Sequence, residues 1–193
     1  MHGSISQEMS TTMETNQKAS LSTINTRLNH TFVRSVASIF VKQRNLPKLF
    51  FSVTKKLGKF FSISGALLIV HSSRDNRLKV IATRKESRAL DGLALTLPSQ
   101  KSLFYTVYNN GEPYVKNYPE DFEGNFIEQK LLLDDDTKSL VICPTMHNGF
   151  PNGLVCFTSP VPYAFVMFEK GFLQEIMEQF GSVLNRETRL INI

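Results

Sequence analysis

Two cysteines, Cys143 and Cys156, are the residues of this chain best suited to covalent chemistry. They lie on two apolar stretches that flank the turn-rich loop 147–152, so Ser139–Ser159 reads as an antiparallel hairpin. Pairing about the centre of that loop sets Cys143 opposite Cys156, and directly opposed strand residues approach closely enough for a redox pair. A reactive thiol also needs access and a lowered pKa. Neither cysteine has Lys or His beside it in sequence, and free cysteine is a common core residue, so the bland reading is packing. His30, His71 and His147 have no metal-ligand spacing to one another or to a cysteine. Asp134–Asp136 form a carboxylate run without the alternation of a calcium loop, and read as a solvated turn. No Ser/His/Asp grouping, glycine-rich phosphate loop or paired-carboxylate motif is found. The sequence therefore nominates no catalytic residue, no metal ligand and no cofactor.

Binding chemistry has better candidates. Strand alternation divides the hairpin into two faces. Ile142, Val155 and Phe157 are bulky and suit a helix layer. Val141, Cys143, Thr145, Leu154, Cys156 and Thr158 are smaller and mixed in polarity, as a ligand-facing wall is. Phe104, Tyr105, Tyr108, Tyr118, Phe122 and Phe126 gather in the region before the hairpin. They can stack on a planar ligand, or pin a loop to the sheet. The candidate pocket is thus Phe104, Tyr108, Tyr118, Phe122, Phe126, Val141, Cys143, Thr145, Cys156 and Thr158, and its competing reading is a filled second core.

The elements that must position these residues follow from periodicity. Leu28, Phe32, Val36, Ile39 and Phe40 recur at helical spacing over Asn25–Asn45. Pro47 suits a second helix start, and Leu49, Phe50, Val53, Leu57, Phe60 and Phe61 form the apolar side of that helix. Its other side carries Lys48, Lys55, Lys56 and Lys59. Ser64–His71 reads as a central strand and Leu78–Arg84 as a less buried one. Gly92–Pro98 is a short strand or extended loop, Gln100–Tyr108 a short helix closed by Asn109–Gly111, and Glu112–Tyr118 another strand. Residues 119–138 predict a mobile loop with one or two helical turns. A last helix runs from about Phe168 to Arg189, with Phe172, Ile176, Phe180, Val183 and Leu184 inward.

At 193 residues a single domain spanning 23–190 is expected, with a disordered tail over 1–22 and a short C-terminal tail over 191–193. Residues 1–90 hold 15 Lys/Arg against 4 Asp/Glu, whereas 91–193 hold 7 against 13. The basic residues are spread over several elements and no nucleic-acid motif accompanies them, so a dipolar fold is favoured over nucleic-acid binding. No apolar run reaches the ~18 residues of a membrane span. Two cysteines without an export signal predict a cytoplasmic protein.

The order helix, helix, strand, strand, short helix, strand, hairpin, helix resembles that of GAF domains, over roughly residues 27–190. Leu46–Val70 resembles the family's opening helix and first strand, and Asn109–Tyr118, with Gly111 and Pro113, its turn and strand before the variable loop. The hairpin and Phe168–Leu184 resemble its closing hairpin and helix. PAS-like and longin-like domains are the competing assignments. The resemblance implies an α+β fold: a central antiparallel sheet of five to six strands, N- and C-terminal helices on one face, loops and a short helix on the other. It also implies a sensory module that binds an unidentified small molecule and signals through its terminal helices. Phe32, Ile39, Phe40, Val183 and Leu184 offer a homodimer surface. The alternatives are a protein–protein interaction scaffold with a degenerate pocket and, last, an enzyme akin to the free methionine sulfoxide reductases. The cyclic-nucleotide signature of the family, its bilin-bearing cysteine and the reductases' loop cysteines have no counterpart here.

Overall fold

The computed structural model describes residues 32, 34–85, 88–165 and 170–191. The expected tail 1–22, His30, the start of the first helix and Phe168 lie outside the described residues, as do the side chains of Phe60 and Phe172. The chain divides into two units, 1–36 and 37–193. The described residues of the first are helical, and the second contains the sheet.

A helix, α1, runs through 34–42. Asn45 caps the next one, its side chain accepting from the Lys48 amide at 3.0 Å, with Pro47 in the first turn. This α2, Leu46–Phe61, buries Leu49, Phe50, Val53 and Leu57 completely and turns its lysines outward. The strands β1 (Gly65–Ser72) and β2 (Arg77–Lys85) follow as a hairpin. The third strand, β3 (Arg88–Thr96), begins earlier than expected and is bulged where it meets β2. Helix α3 (Leu103–Asn110), strand β4 (Tyr114–Asn117), a 3₁₀ turn (Pro119–Asp121) and helix α4 (Phe126–Leu132) lead to β5 (Ser139–His147) and β6 (Phe150–Ser159). The last helix is α5, Lys170–Ile191.

The six strands form one sheet in the order β3-β2-β1-β6-β5-β4, with every pairing antiparallel. One face carries α2 and α5, the other α3 and α4. Phe180 of α5 meets both Phe50 and Phe40, at ring-centroid distances of 6.4 and 4.9 Å. The α+β arrangement expected from the sequence is therefore present.

The hairpin register differs from expectation by one residue. Its turn is the dipeptide Asn148–Gly149, both with positive φ (51° and 82°), which matches the twist of the flanking strands. His147 pairs with Phe150, and a bulge at Asn152 then shifts the ladder. The result sets Ile142 opposite Cys156 and Cys143 opposite Val155. A one-residue slip exchanges the two faces of a strand. The bulge also anchors a helix: Asn152 accepts from the Thr145 hydroxyl at 2.8 Å and donates to the Gly181 carbonyl of α5 at 2.7 Å.

Candidate functional site

Two regions compete for a binding role: the space between the sheet and α3–α4, and a groove beside α5.

The first is a closed core. Leu67, Ile69, Leu78, Val80, Leu140, Ile142, Leu154 and Cys156 rise from the sheet and meet Leu103, Phe104, Val107 and Leu132 of the two short helices. Tyr105, Tyr108, Tyr114 and Phe122 seal its margin. The gap beside α4, lined by Leu67, Thr83, Leu131, Cys156 and Thr158, measures about 20 Å³. That volume admits roughly one water, whereas ligand sites usually occupy about 300–1,000 Å³.

A buried carboxylate holds this layer together. Asn125 and Glu128 form a reciprocal capping box at the start of α4. Glu128 then reaches across to the start of α3, accepting from the Leu103 amide (2.9 Å), the Phe104 amide (3.1 Å) and the Ser102 hydroxyl. Ser102 in turn caps α3 through the Tyr105 amide at 3.1 Å. One side chain thus satisfies donors at the N-termini of two helices, where the helix dipoles favour negative charge.

The sequence-derived candidates divide as follows. Phe104, Cys156 and Thr158 are buried on the α3–α4 side, where they fill space or edge the gap. Phe122 packs at its margin. Tyr108 does too, and stacks on His71 at 5.1 Å, while the His71 Nε2 lies 2.9 Å from Asn76 Oδ1. Val141, Cys143 and Thr145 belong to the opposite side. Thr145 lies beside Leu184 of α5 around Gly153, and Val141 lies beside Leu173 and Met177. The slipped register moved all three, and moved Ile142 the other way. Tyr118 and Phe126 are 45% and 67% exposed and line neither wall. Tyr118 instead meets Tyr163 edge-on at 5.7 Å, and Lys130 Nζ sits 5.5 Å from the Phe126 ring centroid.

The two thiols do not form a pair. Both are completely buried, on opposite faces of the sheet. Burial pushes the Cys143 thiol far above its ordinary pKa. Burial does the same to Cys156, with Cys143 and Glu128 adding to the rise. Asp134 is a turn residue: burial opposes its charge, but the Thr137 hydroxyl and the Lys85 ammonium, 3.3 Å away, outweigh burial and hold its pKa low. Among the described residues, no group of three or more His, Cys, Asp and Glu has the arrangement to hold a metal ion. No described helix is long and apolar enough to cross a membrane.

The second region was not legible as a site in the sequence. Beyond α5, the sheet projects as far as β4 with no described helix over it. Val115, Val141 and Pro144 form a floor, and Leu173, Gln174 and Met177 of α5 a wall. Phe165 and the turn Gly111–Pro113 also line the groove, whose volume is about 580 Å³. Its residues come from four separate segments, none with a local motif.

No protein-family model matches the sequence, and no curated protein matches it. Solved structures do match the fold. The GAF domain of a phosphoenolpyruvate-protein phosphotransferase from Coxiella burnetii superposes with a TM-score of 0.68 at 14% identity, covering 86% of this chain and 97% of that one. The GAF domain of the Acinetobacter phosphoenolpyruvate-protein phosphotransferase gives 0.66 at 13% identity, covering 84% and 95%. Free methionine-R-sulfoxide reductase from Neisseria meningitidis, in complex with its substrate, gives 0.65 at 11% identity, covering 85% and 92%. The chain has the fold of GAF domains.

Proposed function

We propose that this GAF-fold chain is a regulatory domain that works by protein contact, its α3–α4 chamber being filled by its own side chains. The observation that carries this reading is the gap of about 20 Å³ left where the sheet meets those helices. Opening a ligand-sized space would mean displacing buried residues such as Phe104, Leu132 and Ile142, and vacating packed apolar volume is costly. A small-molecule sensor using this chamber, the reading that the family resemblance first suggests, would have to meet that cost from binding energy. A homodimer built on Phe40, Val183 and Leu184 is disfavoured as well, because these three are buried within a single copy. Reductase chemistry would need an accessible thiolate, and Cys143 and Cys156 are both sealed in the core.

The test is a thermal-shift screen with nucleotides, amino acids, tetrapyrroles and methionine sulfoxide, alongside native mass spectrometry of the purified protein. A ligand at a hundredfold its Kd adds about 2.7 kcal/mol, which raises Tm by roughly 5–10 °C for a domain of this size. The expected result is no shift that depends on the chamber: a ligand of the groove of about 580 Å³ keeps its shift in Cys156→Phe. A ligand whose shift disappears in Cys156→Phe, or methionine sulfoxide turnover lost in Cys143→Ser or Cys156→Ser, overturns the reading.

A further inference from the structure

We propose that the outer ridge of α2 docks this domain on an anionic lipid bilayer, its lysines meeting the negatively charged headgroups of a flat surface. The proposal goes beyond the reading above. Helix α2 lies on the opposite side of the sheet from the α3–α4 chamber, so its surface stands whether that chamber is filled or not.

The helix sorts its residues by side. Leu49, Phe50, Val53 and Leu57 are completely buried. At about 100° per residue, Lys48, Lys55 and Lys59 fall within about 40° of one another, on the side opposite that core. All three are exposed, and Lys56 is half-buried at their flank. Lys48 and Lys59 stand about 16 Å apart along the axis. The result is a straight, convex line that meets a plane at all three lysines together. Lys42 and Arg44, both exposed, extend the basic run just before the helix.

Among the described residues, nothing neutralises this ridge. Between Glu14 and Asp75 the sequence has ten Lys or Arg and no Asp or Glu. The ion pairs of the described residues join Lys79 to Asp75, Lys85 to Asp134 and Arg186 to Glu187, and none involves α2. A solvated face ordinarily mixes the two signs, whereas Lys55 and Lys59, four residues apart, repel each other. Arg84 of β2 adds to the charge. Its guanidinium reaches α2 at Gly58, where a side-chain methyl would lie 3.5 Å from Nη1. That nitrogen is buried and has no hydrogen-bond partner. Asp91 of β3 shares this side of the sheet through its pairing with Ala82, but it forms no ion pair with Arg84.

The make-up of the ridge selects a bilayer among polyanions. Protein interfaces are depleted of lysine and enriched in arginine and aromatic residues, and no described aromatic ring of α2 is exposed. The same absence removes the stacking platform that single-stranded nucleic acid uses. Lysines are also point charges, without the planar fork of arginine that nucleic-acid recognition favours. A line of compact, flexible cations on a convex helix suits a plane of headgroups, where each contributes about fivefold in affinity. Because the apolar side of α2 is spent in the core, no side chain of that face inserts into the bilayer. The contact is electrostatic and therefore sensitive to salt.

The experiment floats the full chain with vesicles of equal parts phosphatidylcholine and phosphatidylserine, and with vesicles of phosphatidylcholine alone. Binding is expected to the first and not to the second. It should vanish as salt rises from about 0.1 M to about 1 M and the Debye length shrinks from about 10 Å to about 3 Å. Lys48→Gln, Lys55→Gln and Lys59→Gln combined should weaken it about a hundredfold while leaving the unfolding midpoint in place, since all three positions are exposed. Arginine at the same three positions should retain the binding. Lys101→Gln, Lys130→Gln and Lys138→Gln combined remove equal charge from exposed positions outside α2, and should cost less than about fivefold. A nitroxide on the lipid headgroup should broaden the amide resonances of α2 before those of α4. The inference is overturned by equal binding, or none, to the two kinds of vesicle, by an α2 triple variant that binds as the parent does, or by a control triple that weakens binding as much. Duplex DNA or RNA that binds more tightly than the vesicles at the same salt, and is lost with the same three lysines, also overturns it, since a nucleic acid then owns the ridge.

Discussion

Replacing Glu128 with Ala tests the interpretation of the α3–α4 layer as a structural core. The carboxylate receives the Leu103 and Phe104 amides, the Asn125 amide and the Ser102 hydroxyl, and is itself fully buried. Removing it leaves two donors of the first turn of α3 in a dry interior. Each orphaned buried donor costs about 1–3 kcal/mol. The Ser102 hydroxyl still accepts from the Tyr105 amide but loses the acceptor for its own proton; because a hydroxyl can rotate and Asn125 stands nearer solvent, these two add less than the amides. Against the loss stands the desolvation cost that the buried carboxylate no longer incurs. The balance is a destabilisation of about 3 kcal/mol, or a fall in Tm of roughly 6–12 °C. Glu128→Gln retains one acceptor oxygen but turns an NH₂ group toward amide donors, so it should recover only part of the loss. Urea unfolding of both variants gives the magnitudes, and hydrogen exchange gives the location. Protection should fall first at Leu103, Phe104 and Asn125, while the β1 and β6 amides keep theirs until global unfolding. A loss below about 1 kcal/mol in Glu128→Ala, or a uniform loss of protection, would refute the assignment of this side chain as the tie between the two helices.

Gly181→Ala should destabilise the fold by about 2 kcal/mol or more in urea. The added methyl meets the backbone of Met146, which cannot retreat without breaking the hairpin, and overpacking of this kind exceeds the roughly 1 kcal/mol that alanine gains over glycine in a helix. The thiols set a dependence on alkaline pH. Their pKa values are raised in the folded state, so the unfolded chain ionises first, from about pH 8.5. Stability is fully present below that point and declines as pH rises, by up to about 2.7 kcal/mol per pH unit for the two together. Urea midpoints between pH 7 and 10 should show the decline, and Cys143→Ala combined with Cys156→Ala should flatten it between pH 8.5 and 9.5.

Most of the architecture was legible because it follows from local patterns. The apolar stripe of α2, the run of β1 and the alternation of β2 each dictate one element with one buried face, and six strands must then be covered by the amphipathic helices available. Two features escaped for different reasons. Asn125 and Glu128 have the spacing of a capping box before the apolar Leu131 and Leu132, so α4 was readable in a stretch that otherwise suggests a mobile loop. That Glu128 also caps α3 is a contact across 25 residues of chain, which no local pattern encodes. The hairpin register failed for a sharper reason. Six turn-forming residues admit several turns, and the choice of Asn148–Gly149 together with the bulge at Asn152 changes the pairing by one. That single step carried Val141, Cys143 and Thr145 from the wall of a supposed pocket to the face beneath α5, and put Ile142 in their place. The exchange alters the functional reading as well as the geometry. A bulky isoleucine now helps to close the chamber, while Val141 becomes part of the floor of the open groove on the other side. Which side chains β5 presents to each face is therefore a consequence of turn chemistry at two residues.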